Sequence, residues 1–434
     1  MKFIPHSKRV RRLMPLALAV FLVTAWMLGW LAWWPRQWAL QALERREYAE
    51  ARNWAHRAAY LDGQSAETEW LLGRIDRKLG RTDEALRHLR IAASFGADPK
   101  LIRREELLLH AQTGALEGIL VELDRLLIEH SEDGSEICEA YVNGLLINGR
   151  VDEAVLIIQQ WQAAFPNDPQ PDYLLGRIGE FQNRTNDAER HYRSAVVKNP
   201  RHAPSLFGLS RTLISANRWD EALGIYRQCL GLADRVAAQV GIARCLKFLG
   251  GEAEALQLLR DAAMQPRERF LEAQRLLGEP TEDDTLHLEL GVLEANLGHT
   301  EAALAALRQA VEFNPKHRQA RYQFAQVLNA AGRSDEAKGH FEWYLAMEKK
   351  IEERDRQHDL VERTPRDLDA RVRLGALYLE TDSNEAGLFW LRGVLAEDPR
   401  HRATHELLAD YYEAQAAKDP SAGALARYHR QMAR

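Results

Sequence analysis

Leu-Gly-Val-Leu-Glu-Ala-Asn-Leu-Gly-His-Thr-Glu-Ala-Ala, residues 290–303, decides how this chain folds, because its frame returns along most of the sequence. Leu72-Gly73 is followed by Glu84-Ala85, and Leu175-Gly176 by Asp187-Ala188. Residues 149–154, 209–222 and 332–337 fit the same frame. The alanines keep time: Ala154, Ala188 and Ala222 are each 34 apart, Ala255 follows after 33, and Ala303 and Ala337 are again 34 apart.

The apolar residues between these marks recur at helical spacing, so each period reads as two helices and two turns. The small residue of each Leu-Gly pair lies on the first helix, where the second helix crosses closely. The alanine twelve residues later starts the matching contact on the second helix. A larger side chain at either point would push the hairpin apart. Gly80, Gly149, Gly250, Gly298 and Gly332 fall between the helices, where a left-handed cap favours glycine. Pro166, Pro200, Pro315 and Pro399, mostly as Asn-Pro or Asp-Pro, end the second helix or start the next.

Period and motif together resemble the tetratricopeptide repeat (TPR) family, from about residue 35 to the C-terminus. The resemblance implies an all-α, right-handed α-solenoid of helical hairpins. Repeats open near residues 32, 66, 100, 135, 169, 203, 236, 284, 318 and 368, with a capping hairpin at 402–434. Tyr411, Tyr412 and Tyr428 are expected to close the apolar seam of that cap. Three places depart from the pattern. The repeat near 100–133 has Leu107 and Ile119 where small residues belong. Residues 264–283 add about fourteen residues between repeats. Residues 346–367 read as an overlong, charged second helix. Both insertions are open to two readings, as spacers or as partner-specific features.

Ahead of the repeats, Leu13 to Trp34 is 22 residues without a charged side chain. At about 1.5 Å per residue such a helix covers a hydrocarbon core of roughly 30 Å. Trp26, Trp30, Trp33, Trp34 and Trp38 crowd its C-terminal half, as suits a membrane interface. Lys2, Lys8, Arg9, Arg11 and Arg12 precede it and place the N-terminus in the cytoplasm. Trp-Trp-Pro-Arg follows the apolar run where a cleaved signal peptide needs small residues, so a retained anchor is expected. The organisation is then a basic tail at 1–12, a transmembrane anchor at 13–34 and an N-terminal TPR block at 35–269. An insertion at 270–283 and a C-terminal TPR block at 284–434 complete it. The TPR domain is expected to be extracytoplasmic, and periplasmic if the source is bacterial.

Lys and Arg number 58 against 63 Asp and Glu, a net charge of -5 that draws no nucleic acid. Cys138, Cys229 and Cys245 form no Cys-x-x-Cys pair. Cys229 and Cys245 fall on neighbouring helices and are read either as bridged or as small buried residues. No phosphate-binding loop, dinucleotide fingerprint or nucleophile elbow occurs, so no enzyme, cofactor or small-molecule substrate is implied. His401 and His405 share a helix face, but no third ligand stands at a fixed spacing. They are read as solvated helix-end histidines.

In TPR superhelices the first helices line the concave surface, with positions 2, 5, 9 and 12 of each repeat pointing into it. Position 9 holds Arg74, Arg177, Arg211 and Arg244, with Lys247 one turn beyond Arg244 and Tyr173 and Phe207 at position 5. Arginine recognises carboxylates in a planar, bidentate way, and aromatics beside it add stacking area. One reading is therefore a groove for an acidic peptide. The other is a helix face whose arginines pair with neighbours such as Glu180. The family's chaperone-binding carboxylate clamp is not implied, because Glu139 sits at position 5 beside Asn143 at position 9. In the C-terminal block the same positions hold Leu288, Val292, Tyr322, Gln326, Val372 and Ala376. That apolar face is expected to take an amphipathic helix or the chain's own insertion at 346–367. The function this implies is a membrane-tethered protein–protein interaction scaffold or assembly factor. The alternative is a non-catalytic adaptor subunit of a membrane enzyme or secretion complex.

Overall fold

The computed structural model describes residues 30–434 except 64, 117, 130–132, 183, 233–234, 279–284, 382–383 and 417–419. Among the described residues there are 23 α-helices and no strand. The chain divides into two compact units, one up to Tyr141 and one from Val142 onward.

The first unit holds α1 (Trp30–Glu44), α2 (Tyr48–Asp62), α3 (Ala66–Lys78), α4 (Thr82–Ser94), α5 (Pro99–Gln112) and α6 (Leu120–Glu129). It also takes the opening of α7 (Gly134–Ile147), within which the division falls. α1 packs on α2, α3 on α4 and α5 on α6 as antiparallel hairpins. α2 stacks on α3, and α4 on α5. Even the departing repeat at 100–133 therefore forms a hairpin.

The second unit continues with α8 (Val151–Ala164), α9 (Gln170–Phe181), α10 (Thr185–Lys198), α11 (Ala203–Ser215), α12 (Trp219–Cys229), α13 (Arg235–Leu249) and α14 (Glu252–Ala263). α15 (Arg267–Leu277) lies in the insertion. After it come α16 (Thr285–Asn296), α17 (Thr300–Phe313), α18 (Arg318–Ala330) and α19 (Ser334–Arg363). The last four are α20 (Leu368–Thr381), α21 (Asn384–Glu397), α22 (Arg402–Gln415) and α23 (Pro420–Met432). Every first helix lies within two residues of the opening read from the repeat. Hairpins stack second helix on next first helix, and α14 packs directly on α16 although 21 residues separate them in sequence.

The turns follow the motif closely. α3 ends at Gly80, whose φ of +70° lets Arg81 N–H donate to Asp76 O at 2.8 Å and Gly80 N–H to Arg77 O at 3.0 Å. The repeat opening at 203 has no glycine there, and Asn217 takes the left-handed position instead, at φ +58°. The Asn-Pro and Asp-Pro pairs are also accounted for. Asn199, Asn314 and Asp398 each accept, at 2.9–3.0 Å, the N–H two residues on, so the side chain makes the turn that proline completes.

The core is where the helices of each hairpin cross. Ala85, Ala154, Ala188, Ala222, Ala255, Ala303 and Ala337 are all buried. Opposite them, a Cβ added at Gly73, Gly291 or Gly375 would come within 2.5–2.9 Å of Leu89, Leu307 or Leu391. At Gly176 it would meet the Tyr192 ring at 2.5 Å, and the same ring stands 2.5 Å from a Cβ at Gly208, on the first helix of the next hairpin. The overlong second helix is α19, a single run of 30 residues. Its charged half lies along the next first helix: Gln357 Nε2 donates to Ala370 O at 3.0 Å, Lys350 pairs with Glu380 at 2.7 Å, and Val361 shares a core with Ala370 and Leu374.

The predicted span lies, through residue 29, outside the described residues. Among the described residues no helix is long and apolar enough to cross a membrane. The three cysteines are buried free thiols, so no bridge joins Cys229 to Cys245. Burial pushes the Cys229 thiol up to about 12.

Gly291→Val is expected to cost about 1–3 kcal/mol by overpacking against Leu307. Gly339→Ala, on open helix surface with no atom within 4 Å of the new Cβ, should gain up to about 1 kcal/mol. Thermal melts followed by circular dichroism should move in opposite directions for the two variants.

Candidate protein-binding face

The predicted row of cations is present on the first helices, and most of it is already paired within the chain. In the first unit Arg74 donates to Glu136 of α7, which also takes Arg77, Lys78 at 3.5 Å and Arg104 at 3.4 Å. Arg77 is fully buried and reaches Glu105 at 2.9 Å. Glu139 accepts from Lys78 and Arg46, both at 2.8 Å. Burial alone would raise the Glu136 carboxyl, but Lys78, Arg77 and Arg74 hold it well below the usual range. Against the same burial, Arg46 and Lys78 take Glu139 down to about 2.

In the second unit Arg211 grips Glu180 through two nitrogens, at 2.9 and 2.6 Å, and Tyr192 donates to the same carboxylate at 2.6 Å. Arg244 reaches Glu289 of α16 at 3.2 Å, and Lys247 pairs with that residue too. Arg177 differs. Its Nη1 donates to the Tyr173 hydroxyl at 3.2 Å, its side chain is exposed, and it has no carboxylate partner among the described residues. Glu180 was legible as a neighbour of the arginines, whereas Glu136 and Glu289 were not anticipated. Each joins cations of one repeat to a carboxylate of another, a match that no single period contains.

The aromatic members need correction. Tyr173 and Phe207 were expected to offer open flanking surface, yet both are buried. Phe207 packs edge-on against Tyr226 at 5.3 Å, and Tyr173 against His202 at 5.7 Å. Position 5 therefore packs inside the solenoid, Phe207 within its own hairpin and Tyr173 against the start of the next. The C-terminal block behaves likewise. Leu288 and Val372 are core residues, Val292 packs against the same core as Leu288, and Tyr322 lies 4.7 Å from Tyr344. Gln326 remains exposed and Ala376 half-buried.

Over the arginine row lies the insertion helix. α15 packs on α11 and α13, the first helices that carry Arg211 and Arg244. Phe270, Ala273, Gln274 and Leu277 are buried at i, i+3, i+4 and i+7, one stripe of the helix. α15 ends at Gly278, at φ +69°, whose backbone abuts the α9 pair: a Cβ there would collide with the Tyr173 hydroxyl and stand 2.9 Å from Arg177 Nη1. Beside α15 a cleft of about 440 Å³ opens toward α16 and α17, lined by Phe270, Leu271, Leu286, His287 and Phe313.

The paired histidines also need correction. His401 caps α22 and reaches Thr404 at 3.0 Å, but His405 is buried beneath α23 rather than solvated. His405 Nε2 lies 3.0 Å from Pro399 O, so it carries the proton there, and its Nδ1 accepts from His429 Nδ1 at 2.8 Å. Burial first, then His405 and Arg392, lower His429 to about 4. Tyr412 stacks on His429, and Tyr428 is half exposed rather than sealed in the seam. Among the described residues no group of three or more His, Cys, Asp or Glu could hold a metal ion.

The tetratricopeptide-repeat family profile matches residues 173–237 and 288–350. No curated protein matches the chain. Among solved structures, YrrB, described as a TPR protein with an unusual peptide-binding site, is 24% identical over 50% of this chain and 96% of its own, with a TM-score of 0.27. TTC0263 of Thermus thermophilus, a thermophilic TPR protein, is 22% identical over 49% and 99%, with a TM-score of 0.32. The Cut9–Hcn1 hetero-tetramer of APC/C gives 14% identity over 85% and 74%, with a TM-score of 0.42.

Two stability outcomes follow from these side chains. Arg77→Ala removes the close cation of buried Glu105, leaving Arg104 at 3.8 Å, and should cost about 3–5 kcal/mol in chemical denaturation. His429 is neutral when folded and takes its proton near pH 6.5 when unfolded, so its contribution is full above pH 6.5 and is lost as pH falls toward about 4. The thermal midpoint should fall over that window, and His429→Phe, which keeps a ring on Tyr412, should reduce the slope.

Proposed function

Because this chain is a tetratricopeptide-repeat protein, we propose that it is a membrane-tethered interaction scaffold whose first-helix face holds a partner protein or peptide. The fold is typically a non-catalytic scaffold. The observation that carries the reading is the unbroken stacking of hairpins in the second unit. It sets α9, α11 and α13 side by side with Arg177, Arg211 and Arg244 on one face. Arg211 and Arg244 already answer carboxylates of this chain, so a partner's carboxylate would meet Arg177, the exposed member that among the described residues is held by a phenol and by no carboxylate. The carboxylate preference thus narrows from a row to one end of it.

Tethering rests on Leu13–Trp34 and the basic residues before it. Trp33, Trp34 and Trp38 of α1 are all exposed, which suits rings placed at a bilayer surface. The repeats then stand on the extracytoplasmic side, where they recruit an envelope, secretion or maturation component.

Affinity capture from detergent-solubilised membranes tests the scaffold reading. The natural chain should retain a partner in near-stoichiometric amount, and Arg177→Glu should retain several-fold less while keeping its helical circular dichroism. Absence of any stoichiometric partner would count against a scaffold. A C-terminal reporter that works only outside the cytoplasm should be active, and an inactive reporter would reverse the topology.

A further inference from the structure

We propose that α15 is a tethered occupant of the first-helix face, and that the partner using this face is an amphipathic helix of the same pattern which takes its place. The inference rests on the scaffold reading and names the chemistry of its ligand. Three observations carry it. First, α15 is not needed to continue the solenoid, because α14 packs on α16 directly. Second, α15 crosses the face from α13 to α11, and its terminal Gly278 reaches Tyr173 and Arg177 of α9, so it covers the region where the cations are gathered. Third, it binds as a ligand helix binds, through one stripe: Phe270, Ala273, Gln274 and Leu277 are buried, while Arg267, Glu268, Arg269 and Arg275 remain exposed.

The fit leaves room for a better ligand. Gln274 Oε1 is buried without a hydrogen-bond partner among the described residues, a cost that an apolar residue at that position would remove. The cleft of about 440 Å³ beside Phe270 is a further space that the short helix does not fill. The matching partner is therefore an amphipathic helix with a large aromatic residue, a small residue three positions on, an apolar residue at the fourth and leucine at the seventh. A carboxylate just past its C-terminal end would reach Arg177.

The probe is a fluorescent synthetic peptide of residues 264–278. It is titrated against the natural full chain and against two chains in which the helix is released. One carries Phe270→Asp with Leu277→Asp, and the other has residues 267–277 replaced by glycine and serine. Both released chains should keep the helical circular dichroism of the solenoid. They should bind the peptide, and the natural chain should bind it at least ten-fold more weakly. A peptide with the same two aspartates should bind neither. Hydrogen exchange should show protection of 267–277 in the natural chain, and peptide-dependent protection of 170–181, 203–215 and 235–249 in the released chains. Equal affinity for natural and released chains, protection elsewhere, or no binding to either released chain would overturn the proposal. Capture of a stoichiometric partner together with peptide failure leaves the scaffold and removes the tethered occupant. Peptide success without any captured partner does the reverse.

Discussion

The fold depends on one close approach repeated along the chain, the crossing of two helices inside each hairpin. At Gly176 the opposing surface is the ring of Tyr192, and at Gly291 it is Leu307, each so near that a single added carbon has no place. That distance sets the rest. It brings the alanine of the second helix into the buried seam and fixes the hairpin angle. It also leaves the outer flank of each hairpin apolar, so that the next hairpin must cover it. Stacking is the consequence, and a shared first-helix face is the consequence of stacking.

This explains which features could be read from the sequence. The crossing needs small residues at fixed intervals, and the turns need glycine or Asx-Pro at fixed offsets. Both leave marks in one dimension, and helix openings follow from them. Asn217 shows the limit within a turn: the left-handed residue is required, but asparagine meets the requirement as well as glycine. His405 shows another. A helix-end histidine looks solvated until the following helix is laid over it, and only packing supplies that helix.

The partners of the arginines were less legible because they belong to geometry between repeats. Glu180 faces Arg211 from the preceding repeat, and Glu289 faces Arg244 from the following one, across an insertion. Such pairs depend on the rotation from one hairpin to the next, which no spacing records. Their effect is to fasten neighbouring first helices together while nearly cancelling the charge of the face. Partly buried ion pairs of this kind are weak evidence for stability, yet removing one partner leaves the other charge less well compensated. The face that results is nearly neutral and partly apolar, with Arg177 an exposed cation that has no carboxylate partner among the described residues.

A neutral, partly apolar face of this kind would be a liability if left open, since exposed apolar area invites nonspecific association. The insertion resolves that problem at small cost. A helix joined to the solenoid at both ends acts at an effective concentration on the order of millimolar, enough to keep the face covered even when its own fit is modest. The buried Gln274 Oε1, without a hydrogen-bond partner among the described residues, keeps the fit modest. Covering and yielding are thus compatible: a ligand helix of better complementarity needs only to exceed what the tether supplies, while a poorer one is excluded. Selectivity then comes from the competition itself, and a short segment that the stacking of α14 on α16 bypasses sets the threshold a partner must pass.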